Sequence, residues 1–161
     1  MKNTTLCYIC RPGADGAEEY LMLYRNKKKN DLNEGKWVGV GGKFEAGESP
    51  EECLYREVLE ETGLTLTQHS LRGIVTFVSD VWGTEYMFLY TAAAQGELID
   101  CPEGELRWIP RRDVLSLPLW EGDEIFLSRI AEDAPFFSLK LSYQGDTLVQ
   151  AILDGQEMML S

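Results

Sequence analysis

The chain has 161 residues, of which 44% are hydrophobic and 26% are charged, and this length suits one domain with one core over residues 1–161. No apolar run approaches the roughly 20 residues that span a bilayer, and the N-terminus lacks the apolar segment of a signal peptide. We therefore predict a cytoplasmic protein without membrane contact. The net charge of −12 argues against a stable complex with nucleic acid, because an acidic surface repels the phosphate backbone.

Two strands and a polar loop are predicted in the first part of the chain. Residues 4–10, TTLCYIC, and 19–24, EYLMLY, carry the β-branched and aromatic residues typical of strands. Cys7 and Cys10 form a CxxC motif, but no second CxxC follows, so buried strand thiols are a better interpretation than a zinc or redox site. The segment 26–36, NKKKNDLNEGK, is typical of a polar loop.

The best-marked element is a helix that starts after Ser49. Ser49 is suited to the N-cap, Pro50 to the first helical position, and Glu52 to the position that completes a capping box. Gly63 supplies the residue type at which helices commonly end. The sequence therefore predicts a helix between Ser49 and Gly63.

The second half of the chain combines further strands with one helix. We predict strands over 71–79, 85–94 and 105–110, a helix over 120–133, and a terminal hairpin over 136–153 that turns at 144–146. Helices and strands mixed in this order indicate an α+β protein or an α/β/α sandwich, in which helices flank a mixed β-sheet.

Three glutamates of the first helix are the main candidates for chemistry. Glu57, Glu60 and Glu61 stand at i, i+3 and i+4, which places them on one face of a helix. Three like charges this close repel one another unless a cation lies among them, and ligation by oxygen alone suits Mg²⁺, with Mn²⁺ as the alternative. The spacing also fits a solvated glutamate face, so the residues by themselves leave both interpretations open.

The segment before this helix is rich in glycine, with Gly39, Gly41 and Gly42 in close succession. A missing side chain lets the backbone approach a ligand closely, so a carbonyl here is a candidate metal ligand. Arg56 is spaced to pair with Glu52 one turn away, or to reach back to Glu48 and brace the loop.

From Gly42 onward the sequence resembles the Nudix box, the motif of the Nudix hydrolase superfamily. The match covers the full motif with its spacings: Gly42, Glu48, Arg56, Glu57, Val58, Glu60, Glu61, Gly63 and Leu64. The fold that this resemblance implies is an α/β/α sandwich, which agrees with the order of elements above. The chemistry that it implies is hydrolysis of a nucleoside diphosphate linked to another group.

The resemblance also implies which residues hold the metal ions. Glu57, Glu60 and Glu61 are expected to be catalytic metal ligands, and one of them is expected to orient or deprotonate the attacking water. Gly41 is expected to offer its carbonyl oxygen. Phosphoryl transfer needs neutralised charge and a water held in line, and metal ions provide both.

Two further roles follow from the same resemblance. Glu48 and Arg56 are expected to form the structural pair of the box. A downstream acid completes the site in many relatives. Glu103 is our first choice for that acid, and Glu105 is the rival.

The flanks of the box are similar to the MutT-type group, which hydrolyses oxidised purine nucleoside triphosphates. This similarity is carried by residues 35–64 and 120–148 and extends over nearly the whole chain. In that group the products are a nucleoside monophosphate and pyrophosphate, and removal of oxidised dGTP keeps it out of DNA. The resemblance therefore implies a small nucleoside triphosphate as the binding partner.

Four residues are expected to bind this substrate. Arg25 lies where relatives place a basic residue near the triphosphate, and Lys43 is a second expected contact. Trp120 is expected to stack on the purine, and Asp123 to bond its polar edge. On the residues alone, Trp120 is also consistent with a packed hydrophobe, and Asp123 with a first-turn acid that the helix dipole stabilises.

The chain departs from the sanitising relatives at two positions. Some of those relatives carry two adjacent acids after the tryptophan, where this chain has Gly122 first, and an asparagine where this chain has Val38. Three alternatives stay open: a hydrolase of RNA 5′-triphosphate ends, another Nudix nucleoside-diphosphate hydrolase, and a catalytically inactive Nudix-fold nucleotide-binding module. The sequence does not specify an oligomeric state.

Overall fold

The computed structural model describes residues 1–160, which form one mixed β-sheet with helices packed on both of its faces. The strands are β1 (Lys2–Pro12), β2 (Glu18–Tyr24), β3 (Trp37–Val38), β4 (Thr65–Ser79), β5 (Gly83–Gln95), β6 (Glu105–Pro110), β7 (Phe137–Gln144), β8 (Thr147–Leu153) and β9 (Gln156–Glu157). The helices are α1 (Pro50–Thr62), α2 (Arg111–Val114) and α3 (Asp123–Ala131). In the described part of the chain, each helix is too short or too polar to cross a bilayer.

Strand β1 lies in the middle of the sheet and joins its two halves. The strand order is β3-β2-β1-β5-β4-β7-β8-β9, and β6 pairs with β2. The β1–β5 and β4–β7 pairs are parallel, whereas the remaining pairs are antiparallel. The expectation of a mixed sheet flanked by helices is therefore confirmed.

The sheet opens beside the first half of β1, and this opening creates the site. β1 pairs with β2 only from Cys10 to Pro12. Its earlier residues bond instead to the glycine-rich segment, where the Cys7 N–H donates to the Val40 carbonyl at 2.7 Å and the Thr5 N–H to the Gly42 carbonyl at 2.9 Å. The glycines are thereby held against the central strand.

Alternate residues of β1 serve two cores, because successive strand side chains point to opposite faces. Cys7 and Ile9 pack in a cluster with Leu54 and Val58 of α1. Tyr8 packs in the other cluster, with its ring centroid 6.1 Å from that of Phe126 in α3. The two helices therefore cover opposite faces, which makes the sandwich.

Helix α1 begins and ends where the sequence predicts. The Ser49 side chain accepts a hydrogen bond from the Glu52 N–H at 3.1 Å, and the Glu52 carboxylate accepts one from the Ser49 N–H at 2.9 Å. Gly63 has a φ of 77°, a left-handed conformation that glycine adopts at low cost. The capping box and the glycine stop are both confirmed.

The cysteine interpretation also agrees with the structure. The four cysteines are free thiols. Cys7 is fully buried in the sheet, and this burial raises the pKa of its thiol well above the usual range. A buried thiol that stays protonated is a packing group rather than a metal ligand or a nucleophile.

Two predicted boundaries are wrong. Helix α3 starts at Asp123 rather than at Trp120, because the Gly122 N–H donates to the Tyr143 hydroxyl at 2.8 Å and the preceding residues form a turn. Strand β4 starts at Thr65 rather than at residue 71, because it pairs with β5 along nearly its whole length despite polar residues at its start. Cross-strand hydrogen bonding overrides the polar composition there.

Candidate active site

A cavity of about 470 Å³ lies where the glycine-rich segment, α1 and the residues just before α3 meet. Part of its lining is charged, and we call this the carboxylate region: Arg25, Lys43, Glu57, Glu61 and Glu103. Another part is mainly aromatic, and we call it the aromatic region: Asn33, Phe77, Trp120 and Asp123. One cavity is therefore lined by charged side chains in one part and includes aromatic rings in another.

The glycines of the carboxylate region are required by close approach. Gly41 has a φ of 153°, and a side chain there would collide with the Thr5 carbonyl. Its N–H donates to Glu61 Oε1 at 2.7 Å. At Gly42, a Cβ would lie 2.5 Å from the carboxyl carbon of Glu57. Gly41 therefore lets the backbone lie against β1 and direct its N–H to Glu61, and Gly42 leaves room for the carboxylate of Glu57.

Arg56 holds the loop before α1 in place. It donates two hydrogen bonds to the Glu48 carboxylate, at 2.7 and 2.8 Å, and one to the Lys43 carbonyl at 2.9 Å. These bonds lower the pKa of Glu48 to about 2 and raise the pKa of Arg56. Of the two partners expected for Arg56, the structure selects Glu48, because Glu52 is used in the capping box.

The three glutamates of the box do not all face the cavity. Glu57 and Glu61 line it, whereas the Glu60 side chain is 59% exposed and lies 3.4 Å from Arg56 Nη1. In residues 1–160, no three acidic, histidine or cysteine side chains stand close enough together to hold a metal ion. The expected convergence of all three is therefore absent, because the Glu60 side chain is directed to Arg56 and not into the cavity.

Arg25 lies among the acids of the carboxylate region. Its guanidinium is 2.8 Å from Asp31, 3.2 Å from Glu103 and 3.9 Å from Glu61. Glu103 lines the cavity, whereas Glu105 pairs with Arg107 at 2.7 Å outside the cavity lining. Of the two candidate downstream acids, the structure thus brings Glu103 to the box glutamates.

The acids of this region fit a bound cation. Glu61 is only 5% exposed, and this burial raises its pKa to about 7, although the Gly41 N–H opposes the shift. Burial also raises the pKa of Glu57, against the effect of Arg56. Buried carboxylates that repel each other are stabilised by a hard divalent ion, which prefers oxygen ligands. Glu57, Glu61 and Glu103 are the cavity acids that would have to close around it, because in residues 1–160 no three such side chains already stand close enough to hold an ion.

Trp120 is at once a packed residue and part of the cavity wall. It is 4% exposed and meets Phe77 and Tyr143 edge to face, with ring centroids 5.1 and 4.8 Å away. Its Nε1–H donates to Asn33 Oδ1 at 2.9 Å. The two interpretations from sequence, packing and ligand contact, are therefore not exclusive.

Asp123 is a buried acid in the aromatic region. It is 7% exposed, and burial raises its pKa to about 8, although the positive charge of Lys36 opposes the shift. It is the first residue of α3, as expected for a first-turn acid, and it also lines the cavity. A carboxyl with this pKa is largely protonated at neutral pH, so it both donates and accepts.

Gly122 leaves no space for a second acid beside Asp123. A Cβ at this position would lie 2.6 Å from Leu141 Cδ1 and 2.7 Å from the Tyr143 hydroxyl. The Tyr143 ring therefore occupies the volume that a side chain at position 122 would need. The packing around position 122 therefore excludes the second acid that some relatives carry there.

Several lining residues were not expected from sequence. Asp31 and Asn33 belong to the polar loop between β2 and β3, and their nearness to Arg25 in the chain is the only feature that pointed to them. Trp82 also lines the cavity and is 39% exposed. Such contacts arise from tertiary structure and leave no local pattern.

Comparisons with known proteins agree with this geometry. A family model of the NUDIX domain matches residues 3–130. The uncharacterized Nudix hydrolase YvcI of Bacillus subtilis is 35% identical over 96 residues, which are 55% of this chain and 60% of that protein. The oxidized purine nucleoside triphosphate hydrolase of Danio rerio is 29% identical over 162 residues, which cover 97% of this chain and 96% of the relative.

Solved structures extend the likeness to the whole fold. The MutT protein of Bacillus halodurans superposes with a TM-score of 0.82 and 29% identity, covering 97% of this chain and 99% of that one. Because the family model spans most of the chain and the fold matches throughout, this protein is a member of the Nudix family.

Proposed function

We propose that this protein hydrolyses oxidised purine nucleoside triphosphates, such as 8-oxo-dGTP, to the nucleoside monophosphate and pyrophosphate, with Mg²⁺ as its cofactor and Mn²⁺ as the alternative. The observation that carries the proposal is the cavity that joins buried carboxylates to Trp120 and Asp123. The Danio rerio relative, which is named for this class of substrate, supports it.

The carboxylate region supplies the residues that act on the phosphates. Glu57, Glu61 and Glu103 would hold the divalent ion, and Glu60 and the Gly41 carbonyl would be further candidate ligands. When bound, such an ion neutralises phosphate charge and lowers the pKa of an attacking water. The Gly41 N–H, which bonds Glu61, keeps that carboxylate oriented toward the cavity.

Arg25 and Lys43 bind the triphosphate. Both line the cavity, and the Arg25 guanidinium is held by Asp31 at 2.8 Å while Glu103 and Glu61 lie close to it. A polyphosphate adds negative charge that these cations offset. Asp31 is a positioning residue in this arrangement, because it anchors the Nε side of Arg25 and leaves the other nitrogens directed to the site.

The aromatic region binds the base. Trp120 offers an indole wall for stacking, and Asp123 offers a carboxyl that donates and accepts. The net charge of −12 opposes stable binding of long nucleic acids, so the proposed substrate is a free nucleotide in the cytoplasm.

The test is a pyrophosphate-release assay with Mg²⁺ that compares kcat/KM for 8-oxo-dGTP, dGTP and an RNA with a 5′-triphosphate end. We expect at least a tenfold preference for the oxidised nucleotide, equivalent to about 1.4 kcal/mol. Faster turnover of the RNA would instead identify an RNA-end hydrolase. An absence of any pyrophosphate release, with the protein folded and Mg²⁺ and Mn²⁺ both supplied, would identify a binding module.

A further inference from the structure

Asn33 joins the loop between β2 and β3 to the aromatic region. It is half-buried and lines the cavity, and its Oδ1 accepts a hydrogen bond from Trp120 Nε1 at 2.9 Å. The loop around it is closed by its own backbone: the Lys36 N–H donates to the Asn33 carbonyl at 2.9 Å, and the Arg25 N–H to the Lys36 carbonyl at 3.0 Å. Asn33 is therefore held by both its main chain and its side chain.

The bond to Trp120 fixes which way the Asn33 amide points. An indole N–H can only donate, so the amide must present its oxygen to Trp120. The NH₂ group of Asn33 is then turned away from the indole nitrogen and keeps two hydrogens for another partner. Asn33 is thus an oriented donor in the wall of the cavity.

The surroundings suit one partner for this donor. The same cavity is lined by the apolar side chains of Leu32, Phe77 and Met87, and by Asp123. A flat ring with hydrogen-bond acceptors on its edge fits such a lining, because the ring can pack against the apolar side chains. Its edge can then bond to the Asn33 amide and the Asp123 carboxyl. The edge of a guanine-type base has such an acceptor at O6, which the 8-oxo base keeps, whereas N7 of the 8-oxo base carries a hydrogen and donates.

We propose that Asn33 is a specificity-determining residue, whose amide NH₂ donates to an acceptor on the edge of the purine. This inference rests on the proposed function, because it concerns the base of the same substrate. A pyrimidine is one ring smaller, so with its sugar and phosphates fixed its edge stops short of this donor. Asn33 therefore favours purines over pyrimidines.

The first test removes the NH₂ donor of Asn33 and keeps the oxygen that accepts from Trp120. Asn33→Asp has the same shape and still accepts from Trp120, but it lacks the NH₂ group. We expect the ratio of kcat/KM for 8-oxo-dGTP to kcat/KM for dCTP to fall at least tenfold, mainly through a higher KM for the purine. Asn26→Asp is the matched control, because it adds the same charge to the same loop at an exposed position, and it should keep the wild-type ratio.

The second test removes the group that orients the amide. Trp120→Phe keeps an aromatic ring but deletes the Nε1–H, so the Asn33 amide is free to turn. We expect a several-fold fall in the same ratio. Asn33→Ala combined with Trp120→Phe should lower it by less than the product of the two single effects, because the part of the Trp120 effect that comes from orienting the amide needs Asn33. Thermal unfolding of every variant checks that the fold is kept.

The outcomes separate this inference from the function on which it rests. If folded Asn33→Asp keeps the wild-type ratio, or if its purine and pyrimidine values fall equally, Asn33 does not select the base. If the effects of Trp120→Phe and Asn33→Ala multiply, the amide is not oriented by the indole. If the wild-type enzyme itself shows no preference for a purine, the proposed function fails rather than the role of Asn33.

Discussion

The loop before α1 and the aromatic region of the cavity shift the pKa of a carboxyl group in opposite directions. In the loop before α1, Arg56 donates two hydrogen bonds to the Glu48 carboxylate and lowers the pKa of Glu48 to about 2. In the aromatic region, Asp123 is buried beside aromatic rings, and its pKa rises to about 8. The same chemical group is therefore a permanent anion in one place and a neutral donor in the other, and its environment alone makes the difference.

The largest effect is expected from Glu61, whose carboxylate is the most buried acid of the carboxylate region. Glu61→Gln keeps the shape and accepts from the Gly41 N–H, but it removes a charged oxygen ligand. We expect kcat to fall on the order of 10³-fold, the scale seen when a group that stabilises developing charge is lost. Steady-state pyrophosphate release measures the effect, and circular dichroism checks the fold.

Glu60→Gln tests whether the exposed glutamate joins the site. A loss of activity similar to that of Glu61→Gln would mean that Glu60 turns inward when the cation binds. Wild-type activity in Glu60→Gln would limit the metal ligands of α1 to Glu57 and Glu61. Full activity in both Gln variants would show that the metal-site assignment is wrong.

A smaller effect is expected from Arg56, which touches the loop rather than the substrate. Arg56→Lys keeps the charge but cannot make two parallel bonds to Glu48 and a third to the Lys43 carbonyl. The loop should shift, and a displacement of about 1 Å costs up to about 10²-fold in activity. We expect a lower kcat together with a lower melting temperature.

Arg107→Lys is the control for this change. Arg107 is 61% exposed and, within residues 1–160, forms an ion pair only with Glu105. Its replacement should therefore leave kcat and the melting temperature unaltered. Equal effects of the two substitutions would contradict the bracing role of Arg56.

A different effect, with no loss of catalytic groups, concerns stability and its dependence on pH. The folded-state pKa of Asp123, about 8, lies above its ordinary value of 3.8, so folding takes up a proton between these values. The contribution of the neutral carboxyl is fully present below about pH 4 and is lost as pH rises toward 8, by at most about 1.4 kcal/mol per pH unit. Asp123→Asn should remove this slope.

Urea unfolding at a series of pH values between 4 and 9 measures how the free energy of unfolding depends on pH. The free energy of unfolding of Asp123→Asn, relative to that of the wild type, should rise across this interval. Glu124→Gln alters an exposed acid at the next position and should leave the slope as it is. A flat difference for Asp123→Asn would mean that Asp123 titrates as a solvated acid.

The part of the site between residues 41 and 61 could be foreseen because its sequence is nearly continuous. Gly41, Gly42, Glu57 and Glu61 lie on one loop and one helix, so spacing along the chain translates directly into geometry. The exposed position of Glu60 could not be foreseen, because side-chain torsion and the pull of Arg56 decide it. Local rules place residues on a face but do not choose between rotamers.

The aromatic region comes from segments that are far apart in the chain. Asn33, Phe77, Trp120 and Tyr143 lie on a loop, a strand, a turn and another strand, and they meet only in the folded protein. Trp120 and Asp123 were found through resemblance to relatives. No sequence pattern predicts the hydrogen bond between Asn33 and Trp120, because it depends on the conformation of the loop.

The central position of β1 has a consequence for how the protein is made. β1 is synthesised first, yet its parallel partner β5 ends at Gln95, and parallel pairing cannot form until that strand has left the ribosome. Contacts this distant in sequence slow folding, because loop-closure entropy is lost before they form. Since β1 also holds the glycine-rich segment and packs against α3, we expect both regions of the cavity to become ordered together, late in folding and in one cooperative step.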